Sequence, residues 1–347
     1  MKGMPKIIIF CLLLSWVLPI QAHAQQMQHK KQAPSWLEKS RGANAGAAQF
    51  TAIGKGHSEA EALNDSERKL SNKIWYGIKL EPQRQAAYEQ LLAQEGASYR
   101  KTLRLITPPG QYRGLGVLRN RPLDRYRDSG FIYILGGFER STAEKLYIDE
   151  LRRLGARIQY YQRITRQSDD RLKMLASART AYYLADIQQI LSIQLANIMD
   201  GRSTKAERLL VSNAGLQKAY ENRIRQTGIS LTGRQTPASI VKSIHQTLNR
   251  SGLRVLRQGR TPIRAEVEFR QRKISRHGKN AEFSHWTLIV AFKTDDGRKT
   301  YATYKANGRE GALTYHEASR RAVKAAAKAA GHPLSTFINQ QLLYPNQ

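Results

Sequence analysis

The chain has 347 residues, with 57 Lys and Arg against 27 Asp and Glu and a single cysteine. One cysteine excludes a disulfide within the chain, and a net charge of +30 predicts a strong, salt-sensitive attraction for polyanions. The length suits two domains, which apolar packing alone must hold together.

Lys2 and Lys6 precede an apolar run from Ile7 to Ile20, followed by Gln21-Ala22-His23-Ala24. Charged, apolar and small-residue cleavage regions in that order predict a signal peptide over residues 1–24. The run is shorter than the roughly 20 residues a spanning helix needs. Cys11 lies inside it, in the wrong context for acylation, so neither a lipid anchor nor a thiol mechanism is expected of the exported chain. The expected location is therefore the periplasm, with peripheral contact to the outer membrane. Residues 25–34 lack periodicity and read as a flexible leader.

Ordered structure is expected from Ser35-Trp36-Leu37. A strand over Phe50–Ile53 leads into Gly54-Lys55-Gly56, read as a turn, and Ser58 with Glu61 has the spacing of a capping box. The helix it opens should turn Ala60, Leu63, Leu70 and Ile74 inward. A second helix is expected over 81–95, with Pro82 in its first turn, where the missing amide costs little. Strands are expected at Tyr99–Ile106, Gly114–Leu118 and Phe131–Leu135, the last closed by Gly136-Gly137. Ser141 and Glu144 repeat the capping spacing, with Tyr147, Leu151 and Leu154 on one helical face and a stop at Gly155.

From Asp169 to Gly228 the pattern is helical almost throughout, interrupted at Gly201, and predicts two antiparallel helices acting as a spacer. Thr236-Pro237 then opens a helix presenting Ile240, Val241, Ile244 and Leu248, with Gly252 as its stop. Strands follow at Leu253–Leu256, Ala265–Phe269, Trp286–Thr294 and Thr300–Tyr304. Asp296-Gly297 signals a hairpin between the last two. Thr314 and Glu317 cap an alanine-rich helix that Gly331 and Pro333 end, and Leu334–Leu343 forms a terminal helix. The fold class read from these elements is α+β: two small α+β domains, 35–168 and 236–347, joined by a helical hairpin connector at 169–235.

Motifs for chemistry are few. Gly54-Lys55-Gly56 lacks the third glycine of a dinucleotide fingerprint and the Gly-Lys-Ser/Thr ending of a P-loop. No histidine has ligand spacing, so no metal and no cofactor is expected. No Gly-x-Ser-x-Gly elbow occurs. Glu266 and Glu268 share one strand face with Arg264 and Arg270, which reads as a charge-compensating ladder and not as a glycosidase pair. Tyr99, Tyr112, Tyr126 and Tyr133 sit among arginines, where cross-strand packing is favoured over base stacking. The strongest chemical signal is a basic cluster that includes Arg254, Arg257, Arg260, Arg264, Arg270, Arg272, Lys273, Arg276 and Lys279. Guanidinium forks suit bidentate contact with phosphate or carboxylate, so these nine residues are the expected polyanion-binding rim, and no catalytic set is expected.

Ser35-Trp36-Leu37, Phe50 to Gly56, Ser58 to Leu63, Tyr133-Ile134-Leu135 and Ser141 to Glu144 together resemble the LPP20 family of bacterial envelope proteins. The resemblance covers roughly residues 35–165 and implies an outer-membrane or periplasmic accessory role in surface assemblies. A similar N-terminal module occurs in the flagellar assembly protein T. The C-terminal order, with Leu253-Arg254-Val255-Leu256, is loosely similar to TolB N-terminal and curli-secretion-type modules. The family supplies no catalytic residues. The expectation is a non-enzymatic structural or assembly component of an envelope machine. Its partner would be an acidic envelope protein or an anionic membrane or cell-wall surface, with a homo-oligomer or ring compatible. The alternative is a basic binding module for nucleic acid or anionic glycan, as in DNA uptake or conjugation, with nucleic acid the less favoured partner.

Overall fold

A computed structural model describes residues 33–38, 48–110, 117–201, 204–256, 261–274 and 281–344. The expected signal peptide and nearly all of the leader lie outside them. The fold is α+β, and it divides into two compact units whose borders differ from the expected 35–168, 169–235 and 236–347. One unit takes the chain up to Leu70 together with Arg119–Glu139, and the other takes Ser71–Leu118 and Arg140–Gln347.

In the first unit a short helix α1 (Ser35–Glu38) is followed by β1 (Gln49–Gly56), α2 (Glu59–Ile74), β2 (Arg121–Asp128) and β3 (Phe131–Glu139). The sheet is antiparallel in the order β1-β3-β2. Gly54 and Gly56 are strand residues, not a turn, because α2 lies too close to admit side chains there. A Cβ on Gly54 would sit 1.8 Å from the Ala62 carbonyl oxygen, and one on Gly56 2.5 Å from Glu61 Cβ. Gly136 has the same constraint, 2.2 Å from Ser66 Oγ, so β3 runs on through the two glycines expected to close it. The buried positions of α2 are thus Ala62, Ser66, Leu70 and Ile74, the last two as expected, while Leu63 is half-buried and Ala60 is exposed. The capping box forms at the expected residues: Ser58 Oγ accepts from the Glu61 amide at 3.2 Å, and Glu61 Oε2 reaches back to accept from the His57 amide, one residue before the cap, at 2.8 Å.

Strand β2 was not expected, since Arg-Pro-Leu-Asp-Arg-Tyr-Arg-Asp shows no apolar alternation. It is an edge strand, where proline is tolerated, with a bulge between Pro122 and Asp124. Arg125 and Arg127 reach Glu59 at 2.7 and 3.2 Å. Tyr126 meets Tyr133 across β2 and β3 with ring centres 6.2 Å apart.

The second unit begins with α3 (Pro82–Gln94), which has proline at its start. The expected strand at Tyr99–Ile106 is instead a 3-10 turn (Ala97–Tyr99) and α4 (Arg100–Leu105). Tyr99, Thr102 and Leu105 are buried at a spacing of three, and the helical period overrides the strand-forming composition. The expected strand at Gly114–Leu118 falls largely outside the described residues, and Val117 and Leu118 lie in a turn. Then α5 (Arg140–Gln167) runs unbroken through Gly155, where Gln188 donates to the carbonyls of Leu151 and Leu209 at 3.0 and 2.9 Å.

Helix α6 (Arg171–Ile198) starts at an N-cap, Asp170, and buries 18 of its 28 residues. Such a helix is a core element and not a solvated spacer. Its partners include α5, antiparallel to it, and α8 (Asn213–Gln226), which follows the short α7 (Thr204–Leu209). Positive φ angles at Asp200 and Gly201 end α6 where the interruption was expected.

The remaining elements are β4 (Gly228–Arg234), α9 (Ala238–Arg250), β5 (Arg254–Leu256), β6 (Ile263–Ile274), β7 (Glu282–Thr294), β8 (Thr300–Ala312), α10 (Tyr315–Ala329) and α11 (His332–Phe337). A π-helical turn (Ile338–Leu342) continues α11. The sheet order is β5-β4-β6-β7-β8, parallel from β5 to β6 and antiparallel thereafter. Strand β4 was also missed: its alternation is confined to Ile229-Ser230-Leu231-Thr232, between two glycines and directly after a helix. Pro237, not Thr236, occupies the N-cap of α9, and Thr236 Oγ1 is instead directed at the Val267 carbonyl at 3.4 Å. At the other end, the Leu253 amide donates to Leu248 O and the Gly252 amide to Asn249 O. With φ of +81° at Gly252, this is the glycine-terminated stop that was expected. Thr314 Oγ1 accepts from the Glu317 amide at 3.2 Å, as its spacing predicted. The core lies between one sheet face, with Val267, Leu288, Val290 and Phe292, and the helices bearing Ile240, Ile244, Ala322 and Ala326.

Candidate anion-binding sheet face

The alternation that buries Ala265 and Val267 turns Arg264, Glu266, Glu268, Arg270 and Arg272 to the opposite face of β6. Register then decides their neighbours. Arg264 lies opposite Lys293, Arg270 opposite Thr287 and Arg272 opposite His285, while β8 sets Arg309 against His285, Asn307 against Thr287 and Lys305 against Ile289.

Electrostatics divide this face in two. At one end Arg264 pairs with Glu266 at 3.1 Å, and Lys293 Nζ donates to Glu266 at 2.6 Å. Arg270 donates to Glu268, whose hydrogen bond and charge hold the Arg270 guanidinium above its ordinary range. The ladder expected from the alternation is present, and it neutralises that end.

At the other end, Arg272, His285 and Arg309 form a row across three strands, at steps of about 5 Å. Among the described residues neither arginine has a carboxylate partner. Arg309 lies 5.1 Å from the ring centre of Phe283, and Phe283 in turn covers the backbone at Gly311, where a Cβ would come within 2.8 Å of the ring. Thr287 and Asn307 sit in the adjoining row, so hydroxyl and amide groups border the two guanidinium groups. This geometry suits a ligand that carries several anionic oxygens.

The expected rim is thus only partly assembled. Arg264, Arg270 and Arg272 share the face, but the first two are paired to acids. Lys273 points to the helical side, pairs with Glu282 at 3.0 Å and lies 5.5 Å over the Tyr315 ring. Arg254 is on β5, separated from β6 by β4. Arg257, Arg260, Arg276 and Lys279 lie outside the described residues. His285, Lys293, Lys305 and Arg309 were missed. The Asp296-Gly297 turn was the signal that could have aligned β7 with β8, had β8 been read beyond Tyr304.

Several other displaced titratable groups lie within the helical part of the second unit. Burial, and then a hydrogen bond to Asp186 at 2.6 Å, raises Tyr88. Burial raises Tyr147, and burial with a hydrogen bond to Glu95 at 2.5 Å raises Tyr161. These phenols stay protonated and serve as donors in packed interiors. Arg153 lies 4.6 Å from the ring centre of buried Tyr99, so that ring is a packing surface. Tyr112 is outside the described residues. Among the described residues no three of His, Cys, Asp or Glu are grouped to hold a metal ion, and no helix is long and apolar enough to cross a membrane.

No protein-family model and no curated protein matches the chain. Among solved structures, a minor lipoprotein of Acinetobacter baumannii is 13% identical, with 34% of this chain and 91% of that one covered at a TM-score of 0.26. A secreted protein of Helicobacter pylori is 11% identical over 85% of this chain and 98% of its own, at a TM-score of 0.39. A Caulobacter crescentus protein described as a lipoprotein is 8% identical, with coverages of 35% and 91% and a TM-score of 0.23. All three scores lie below 0.5, and the functional reading rests on the chain's own residues.

Proposed function

We propose that this protein is a non-enzymatic structural or assembly component of a bacterial cell-envelope machine, flagellar, secretory or similar, which docks an acidic partner on the open face of its five-stranded sheet. The observation that carries the reading is the Arg272, His285 and Arg309 row, free of carboxylates in a chain of net charge +30. The signal-peptide layout supports export to the periplasm, and the LPP20-like motifs of residues 35–165 support an accessory place in a surface assembly.

A photo-crosslinking residue in place of Asn307, on the open face, tests the reading in intact cells. Capture of an acidic envelope protein supports it, whereas capture of a second copy of this chain, whose net charge is +30, would overturn the acidic partner on this face. Salt-dependent retention on DNA or anionic glycan with no protein neighbour captured would replace it with a polyanion-binding module.

A further inference from the structure

A cleft of about 510 Å³ opens between α5, α6 and α8, within the range of about 300–1,000 Å³ common for small-molecule sites. Part of its lining is apolar, Ala178 and Ala181 from α6 with Leu216 and Ala219 from α8, and most of the rest is polar. Two cations stand in its wall, Arg166 in the last turn of α5 and Arg223 in the last turn of α8. Among the described residues no carboxylate lines it. Arg223 donates to neutral acceptors only, Gln226 Oε1 at 2.9 Å and the Thr165 carbonyl at 3.4 Å. Arg166 is exposed and has no ion pair among the described residues.

Helix-end arginines offset the macrodipole, which accounts for where these charges lie but not for the unfilled space between them. Gly215 bears on that space. It lies in the first turn of α8, and neither its φ nor a neighbour requires a glycine there. A Cβ there would meet only Ser212 Oγ, at 3.7 Å, so a longer side chain would enter the cleft.

We infer that this cleft binds a single-chain anionic amphiphile, with the chain on the alanine and leucine patch and a phosphate or carboxylate head between Arg166 and Arg223. The charge complementarity is specific to an anion, and the apolar patch is specific to a ligand with a tail. The site shares no residue with the sheet face, so either can fail without the other.

Calorimetric titration of the full chain with dodecyl phosphate, kept below its micellar concentration, tests the inference. Dodecyl maltoside serves as a neutral head on the same tail, and inorganic phosphate as a head without one. One-site binding of dodecyl phosphate at least about tenfold tighter than either control is expected. Gly215→Leu should abolish it while leaving the melting temperature unchanged or higher, and Arg166→Gln with Arg223→Gln should weaken it about tenfold or more. Equal binding of the maltoside, equal binding of phosphate alone, or retention by the folded Gly215→Leu protein would each overturn it.

Discussion

Asp170 joins two roles in one side chain. Its Oδ1 accepts from the amides of Leu172 and Lys173 at 3.0 and 3.1 Å, capping α6, and its Oδ2 accepts from Lys299 Nζ at 2.7 Å. Burial would raise its carboxyl, but Lys299 and the two amides outweigh that and hold it below its ordinary 3.8. Asp170 in turn holds Lys299 above 10.5. A depressed carboxylate contributes stability above its unfolded value and loses it as pH falls through the folded one. A raised ammonium contributes below its unfolded value and loses it as pH rises through the folded one. The pair therefore contributes fully between about pH 4 and about pH 10. Asp170→Ala should cost about 1–2 kcal/mol in urea unfolding at pH 7, chiefly from the lost cap. Asp170→Asn, which keeps the cap and loses a half-exposed ion pair, should cost less than about 1 kcal/mol and flatten the acid limb of the stability profile. On the sheet face the same logic separates arginines that look alike in sequence. Single-stranded DNA, used only as a generic polyanion probe, should bind Arg272→Gln with Arg309→Gln with a log affinity against log salt slope shallower by about 1.4, from two lost contacts. Arg270→Gln, already compensated by Glu268, should change it by less than half of that. Equal effects would mean the row is not where the anion sits.

Elements show where sequence reasoning succeeds and what defeats it. Strand β7, the hairpin at Asp296-Gly297, and α9 with its stop at Gly252 were legible because period, turn chemistry and cap agree locally. Tyr99–Ile106 was misread because composition favoured a strand while burial follows a helical period. Strand β2 carries no apolar alternation and β4 only the short Ile229-Ser230-Leu231-Thr232, so each is recognised chiefly by the strand beside it. The glycines of β1 and β3 were visible, but their reason was not, since it lies in a helix that packs across them. For the candidate site, three of its arginines were named in advance, and the acid partners of two of them, Glu266 for Arg264 and Glu268 for Arg270, were foreseen. His285 and Arg309 needed the register of three strands to be known. The glycine contacts make a direct prediction: Gly54→Ala places a methyl carbon 1.8 Å from the Ala62 carbonyl, and backbone must move. A loss of about 3 kcal/mol or more is expected, at the upper end of overpacking. Gly130→Ala, at a turn where φ is +79° but no atom lies within 4 Å, should lose only about 1 kcal/mol of backbone strain. Urea unfolding of the two variants, followed by amide exchange on β1 and β3, compares a steric cost with a conformational one.

At the scale of the molecule, the second unit ties the end of the chain to its beginning through a buried carboxylate. Glu95, just beyond α3, accepts from Tyr161 on α5 at 2.5 Å and from Tyr344 near the C-terminus at 3.1 Å, and it pairs with Arg157 at 2.6 Å. Its side chain is 1% exposed and that of Arg157 is 19% exposed, so water screens the pair little. Arg179 on α6 adds a second tie to the same terminal segment, donating to Asn339 at 2.8 Å. Removing one partner from a buried charged network costs more than the network contributes to stability, because the remaining charge is left uncompensated. Glu95→Gln should therefore destabilise the second unit by about 3 kcal/mol. Tyr344→Phe removes one neutral donor while a charged acceptor keeps its other partners, and should cost about 1 kcal/mol. If Tyr344 acts only through Glu95, the double variant should be no less stable than Glu95→Gln by more than about 0.5 kcal/mol, whereas independent contributions would add in full. A double-mutant cycle in urea, read by tyrosine and tryptophan fluorescence, distinguishes the two. Full additivity would mean that the terminal segment is held by its apolar residues, Leu342 and Leu343, and that the hydroxyl is incidental.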